Sequence, residues 1–171
     1  MRGATYVNAI NTCLGVVNTK LRSSRGRANA PVLCELGCGH IESLGHIKQT
    51  CLRLAPERTH RHDRVLSLLV TQLTKHKHQV LKEPSIRTQA GLRKPDVVVW
   101  KKRESVVLDV QITSDSWLEK SLNVAYGLKS SCYDVGEIRD WVRTKTGHTT
   151  VFATLTMNWP PPHIWPLKPW A

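Results

Sequence analysis

The stretch KPDVVVWKKRESVVLDVQI, residues Lys94–Ile112, decides how this chain is read. It holds two β-branched runs, Pro95–Trp100 and Ser105–Ile112, separated by the polar Lys101, Lys102, Arg103 and Glu104, a pattern that predicts two strands joined by a tight connection. Folding the pair antiparallel about those four residues sets Trp100 opposite Ser105. Counting outward then puts Asp96 opposite Asp109 and Lys94 opposite Gln111. Side chains alternate across a strand, so Lys94, Asp96, Asp109 and Gln111 share one face while Val97, Val99, Val106, Leu108, Val110 and Ile112 line the other. The expectation is one charged face and one core face. Opposed Cβ atoms lie about 4.5–5.5 Å apart, where two carboxylates repel unless a cation compensates. A hard divalent ion such as Mg²⁺ is held by one or two carboxylates plus phosphate oxygens, so Asp96 and Asp109 are candidates for metal-assisted phosphodiester cleavage. A solvated hairpin face, with both acids paired to lysines, fits these two residues equally well.

The helix that follows shifts the balance. A helix is predicted over 116–133, with Leu118, Leu122 and Ala125 as an inward stripe; the next position on the stripe is Lys129, and Tyr133 follows one turn later. A lysine aimed inward is uncommon unless paired or catalytic, and this one could pack back towards the two aspartates. A lysine snorkelling at the sheet edge is the alternative.

Upstream, Cys34, Cys38, His46 and Cys51 form the spacing C-x3-C-x7-H-x4-C. Three thiolates and an imidazole fill the tetrahedral shell of a structural Zn²⁺ and leave no open position for chemistry. Gly37 and Gly39 flank the second cysteine, where a tight metal-binding turn needs backbone freedom, and Leu44 and Ile47 could form a miniature apolar core. His40 is a rival ligand, but only His46 gives the compact spacing.

Elsewhere, residues 1–33 read as a linker or the end of an upstream region, 34–54 as the knuckle, 55–157 as the main domain and 158–171 as a tail rich in Trp and Pro. A helix is predicted from Pro56 to about Lys77 on the spacing of Val65, Leu66, Leu69, Val70 and Leu73. Short strands are predicted at Val80–Leu81 and Ile86, a loop at Thr88–Arg93, a helix over 136–143 ended by Gly147, and a last strand at Val151–Met157. Arg58, His60, Arg61, His62, Asp63 and Arg64 crowd the start of the first long helix. They read as a phosphate-gripping patch, with Arg61 a candidate contact, or as a solvated helix face, the better reading for the individual histidines; His60 and His62 point to different helix faces, which argues against a metal site there.

The 171 residues carry 25 Lys and Arg against 13 Asp and Glu, a net charge of +12 that favours a polyanionic partner. No apolar run reaches transmembrane length, and the start MRGATYV lacks a signal-peptide core, so a nucleic-acid partner and an intracellular location are expected rather than a membrane. With three of five cysteines assigned to zinc, Cys13 and Cys132 do not suggest a disulfide framework.

Lys94-Pro95-Asp96, twelve residues, then Asp109-Val110-Gln111 resembles the PD-(D/E)xK nuclease signature, with Gln111 where a lysine usually stands. Together with the upstream CCHC knuckle and the downstream Lys129 and Tyr133, the chain resembles the C-terminal region of the polyprotein of site-specific non-LTR retrotransposons of the R-two type. The resemblance implies an α/β fold of restriction-endonuclease type, a mixed sheet flanked by helices. It also implies a nickase that cuts double-stranded target DNA so that the 3′-OH primes reverse transcription of the element's RNA. On this reading Asp96 and Asp109 bind catalytic Mg²⁺, and Lys129 is the displaced catalytic lysine with Tyr133 beside it. Glu83, Arg93 and Lys94 are placed to meet metal or phosphate. Ribosomal RNA genes as target, and the nucleus as location, are carried by the resemblance alone. No paired-aspartate polymerase loop is present, so reverse transcription would belong to a missing N-terminal portion.

Overall fold

The central hairpin forms in the register that the alternation of β-branched residues dictates. In a computed structural model that describes residues 11, 16–113 and 121–158, less the side chains of Ser121 and Asn158, strand β4 (Val97–Lys101) pairs antiparallel with β5 (Glu104–Thr113). Trp100 faces Ser105 and Val97 faces Leu108. The connection is shorter than expected. Lys101 and Glu104 are themselves partners, an opposite-charge pair that adds a rung to the ladder, and only Lys102, at φ 59°, and Arg103 remain in the turn.

Strand β1 (Gln79–Lys82) pairs antiparallel with the outer side of β4, and β6 (Thr149–Asn158) lies beside β5, giving the order β1-β4-β5-β6. Ser105 Oγ donates to the Thr149 carbonyl and Thr150 Oγ1 to the Ser105 carbonyl, both at the beginnings of their strands. Strands β5 and β6 therefore start together, as parallel neighbours linked by a helical crossover do, and the sheet is mixed. Segment Thr88–Arg93, expected as loop, instead contributes a second hairpin. Strands β2 (Ile86–Thr88) and β3 (Gly91–Arg93) pair around a turn in which Thr88 Oγ1 donates to the Gly91 carbonyl.

Four α-helices longer than a single turn are described: α1 (Lys20–Ser23), α2 (Ala55–Lys75), α3 (Ser121–Tyr133) and α4 (Gly136–Thr146), with a π-helical turn at His46–Thr50 and a 3-10 turn at Leu52–Leu54. Helix α2 buries Leu66 against Val97, Val99 and Val110, with Leu69, Val70 and Leu73 beside it. The opposite face of the sheet is also covered. Val98 and Val107 pack against Ile138 and Val142 of α4 and Ile86 of β2, with Trp100 and Phe152 at the margin. The face carrying Asp96 and Asp109 is thus core along most of its length and acidic only at its open end. Remote residues supply that second layer, which the hairpin sequence does not reveal. Helix α4 ends at Gly147, whose φ of 75° suits a residue without a Cβ and lets its N–H reach the Arg143 carbonyl.

The described residues form two compact units, one running to Thr59 and the other comprising His60–Thr113 with residues 121–157. In the first, the stretch expected as linker contains α1, capped by buried Thr19, whose side chain accepts from the Arg22 N–H. The Glu42 carboxylate accepts from the Lys20 N–H (2.9 Å) and the Glu35 N–H (2.8 Å), and so joins α1 to the cysteine loop. The expectations for Cys13, Leu118, residues 116–120 of the third helix and the tail from Trp159 onward lie outside the described residues. Among the described residues no helix is long and apolar enough to cross a membrane.

Candidate functional site

The PD dipeptide shapes the open end of the hairpin. Pro95 has no N–H to give to a ladder, so regular β4–β5 pairing stops at Val97 and Leu108 and the next opposed positions are Asp96 and Asp109. The Asp96 carbonyl accepts from the Glu83 N–H (2.8 Å), while its carboxylate Oδ2 takes the Val110 N–H (2.6 Å), standing in for a backbone acceptor. Asp109 is 1% exposed. Burial pushes its carboxyl above the usual carboxylate range, and Lys129, with Nζ 2.9 Å from Oδ2, only partly offsets that. Burial draws the Lys129 ammonium down, but the hydrogen bond and charge of Asp109 outweigh it and hold the pKa above the ordinary lysine value.

Tyr133 lies one turn beyond Lys129. Its hydroxyl donates to the Lys94 carbonyl (3.2 Å), its ring centroid is 5.5 Å from Lys129 Nζ, and it stacks on Phe152. Burial and the nearby Asp109 charge raise its phenol pKa. Lys129 and Tyr133 therefore meet the hairpin as their helical spacing predicts. Leu122, assigned to the same inward stripe, is 37% exposed, so the stripe begins at the buried Ala125.

A residue set aside on sequence grounds also reaches the site. His62, expected to be solvated, sits with Nε2 3.1 Å from Asp96 Oδ2 and Nδ1 3.3 Å from Asp63 Oδ1. Burial disfavours its charged form, yet the two carboxylates prevail and raise its pKa. The signal was present: Leu66, Leu69 and Leu73 mark the buried stripe of α2, and one turn back along it is position 62.

The other candidates are placed less centrally. Arg61 is half-buried and engaged in an interaction of its own. Arg93 is paired within the small β2–β3 sheet, Lys94 is exposed, and the Glu83 carboxylate lies 3.7 Å from the Lys82 ammonium. Gln111 shares the acidic face, and its Oε1 is buried with no hydrogen-bond partner among the described residues. Carboxylate and amide oxygens are the donor types that hard divalent cations take.

In the other unit, Cys34, Cys38, His46 and Cys51 bring one donor atom each to within 4.8 Å of one another, so this cluster could hold a metal ion. The Cys34 and Cys51 sulfurs are 4.0 Å apart, and Cys38 Sγ lies 3.1 Å from His46 Nε2. These separations lie on either side of the roughly 3.5–3.8 Å edges of a tetrahedral shell with bonds of about 2.0–2.3 Å. The backbone hydrogen bond from His40 lowers the Cys38 thiol to about 6, favouring the thiolate that binds metal. Thr50 Oγ1 lies 3.3 Å from His46 Nδ1 and leaves Nε2 as the ligating nitrogen. Gly37 and Gly39 take φ of 70° and 78° in the cysteine loop, and Leu44 and Ile47 are half-buried.

No protein-family model matches the chain. It is 31% identical over 161 residues, 93% of its own length, to the Retrovirus-related Pol polyprotein from type-2 retrotransposable element R2DM of Drosophila melanogaster. It is 30% identical over 160 residues to the Pol polyprotein from type-1 retrotransposable element R2 of Nasonia vitripennis, and 33% identical over 144 residues to that of Bradysia coprophila. The chain spans 15% of the length of the first two relatives and 16% of the third. Matched along most of its own length to one segment of several such polyproteins, the chain belongs to the R2 retrotransposable-element Pol family.

Proposed function

We propose that this chain is a DNA-nicking endonuclease region of an R2-type Pol polyprotein, with a restriction-endonuclease-like core and a structural zinc knuckle. The observation that carries the reading is the convergence of Asp96, Asp109 and Lys129 at the open end of one hairpin, with the ammonium 2.9 Å from the buried carboxylate. Asp96, Asp109 and the Gln111 amide oxygen would hold Mg²⁺, which when bound polarises the scissile phosphate and makes a water more acidic. Lys129 supplies the positive charge that offsets charge developing on the phosphate. Gln111 is neutral and cannot take that task, so the helix provides it instead of the strand. Tyr133, anchored on the Lys94 carbonyl, offers its ring to the Lys129 ammonium. Zn²⁺ on Cys34, Cys38, His46 and Cys51 would hold the knuckle in shape, and the net charge of +12 suits a duplex DNA partner. Nuclear action on ribosomal RNA genes, and priming of reverse transcription from element RNA, would belong to the whole polyprotein.

The test is plasmid nicking with Mg²⁺ by the wild type and by Asp96→Ala, Asp109→Ala and the turn variant Lys102→Ala. Both aspartate variants should lose nicking while keeping DNA binding, and Lys102→Ala should cut normally. Wild-type nicking by both aspartate variants would leave a noncatalytic zinc module as the better reading.

A further inference from the structure

We infer that His62 is a positioning residue for Asp96, holding the carboxylate so that its free edge is presented to a cation. The inference rests on the endonuclease reading and adds a residue to it.

Asp96 receives two hydrogen-bonding partners, the Val110 N–H at 2.6 Å and His62 Nε2 at 3.1 Å, and both fall on the same oxygen, Oδ2. With Oδ2 occupied, a metal ion is offered Oδ1. One partner is a backbone amide fixed by β5. The other is an imidazole on the buried stripe of α2, oriented by Asp63 at 3.3 Å from its far nitrogen. A carboxylate that orients a histidine, which in turn orients a metal ligand, is an outer-shell arrangement that tunes metal sites.

His62 acts through Asp96 rather than as a ligand. Among the described residues, the one group of three or more Cys, His, Asp or Glu side chains with donor atoms in mutual reach is the Cys34, Cys38, His46 and Cys51 cluster. The division of labour with Lys129 follows from the side chains. The lysine is a long flexible cation that can move from Asp109 to a phosphate, whereas a half-buried imidazole with two rotatable bonds holds geometry.

The test measures binding directly, apart from turnover. Zinc-loaded full-length protein is titrated with Mn²⁺, and the free ion is followed by electron paramagnetic resonance. Asp96→Ala should remove the site, and His62→Ala should raise the Mn²⁺ dissociation constant by about 10–100-fold. His62→Gln, whose amide nitrogen can still donate to Oδ2, should recover most of the affinity. Asp63→Asn should fall between wild type and His62→Ala, and it covers the case in which His62→Ala fails to fold. If His62→Ala binds Mn²⁺ like the wild type while Asp96→Ala does not, the positioning role is wrong and the metal reading of Asp96 stands. Should His62→Gln be as weak as His62→Ala, the hydrogen bond is not the cause and the inference fails. If Asp96→Ala itself binds normally, the metal reading falls and takes this inference with it.

Discussion

Replacing Lys129 by Met keeps the aliphatic stem and removes the charge facing Asp109. That carboxylate is 1% exposed and its counterion lies 2.9 Å away, so the loss strands a buried anion. Breaking a fully buried pair costs about 3–5 kcal/mol; because the Lys129 side chain is 32% exposed and water already reaches it, the expected loss is about 2–3 kcal/mol. Pairing Lys129→Met with Asp109→Asn removes both charges, and urea unfolding of the four proteins should give a coupling of about 2 kcal/mol. The pH dependence has a definite sign. Asp109 titrates above the usual carboxylate range in the folded protein, so its contribution is fully present below the unfolded pKa and is lost as pH rises through the folded one. Losing the ammonium raises that folded pKa further, so the penalty of Lys129→Met should be largest at neutral pH and shrink as acid neutralises the carboxyl. A coupling under about 0.5 kcal/mol, or a penalty unchanged from about pH 8 to about pH 4, would refute the buried-pair argument.

Two further outcomes concern the first unit. Cys38→Ser removes a thiolate ligand and should drop bound zinc well below one equivalent by elemental analysis, with loss of order in residues 34–51; unchanged metal content would mean that the ligand set is misassigned. Glu42→Gln weakens the double acceptor that joins α1 to the cysteine loop, so zinc should pass to a competing chelator faster than from the wild type, and an equal rate would remove that role. The Glu35 N–H lowers the Glu42 pKa, burial opposes it and the Lys20 N–H lowers it further. This carboxylate's stabilisation is therefore present above the ordinary glutamate pKa and is lost as pH falls through the depressed one.

How far the sequence could be read depended on whether the deciding contacts were local. The hairpin register, the approach of Lys129 and Tyr133 and the Cys/His cluster follow from counting along single elements, and each appears at the counted position. The core behind Asp96 did not emerge, because Ile86, Ile138 and Val142 come from other parts of the chain and give the hairpin no mark of their own. Strand β3 is three residues long, too short for alternation to register. His62 carries no mark beside His60, which lies on another helix face, and its place is set by the stripe it shares with Leu66, Leu69 and Leu73.

The pairing of Val97 with Leu108 restricts how this region can change in length. A single residue inserted within β4 or β5 would turn one aspartate to the face packed by α2, leaving the other alone. One residue added to each strand would keep the acids opposed but turn both to the α2 face, away from Lys129, whereas two added to each strand would lengthen the hairpin and return both to their own face. Viable relatives should therefore vary freely in the Lys102–Arg103 turn, yet within each paired strand accept only changes that preserve the odd–even count from the turn to that strand's acid. The spacing of the motif is in that sense a parity rule written by the pleat, independent of which residues fill it.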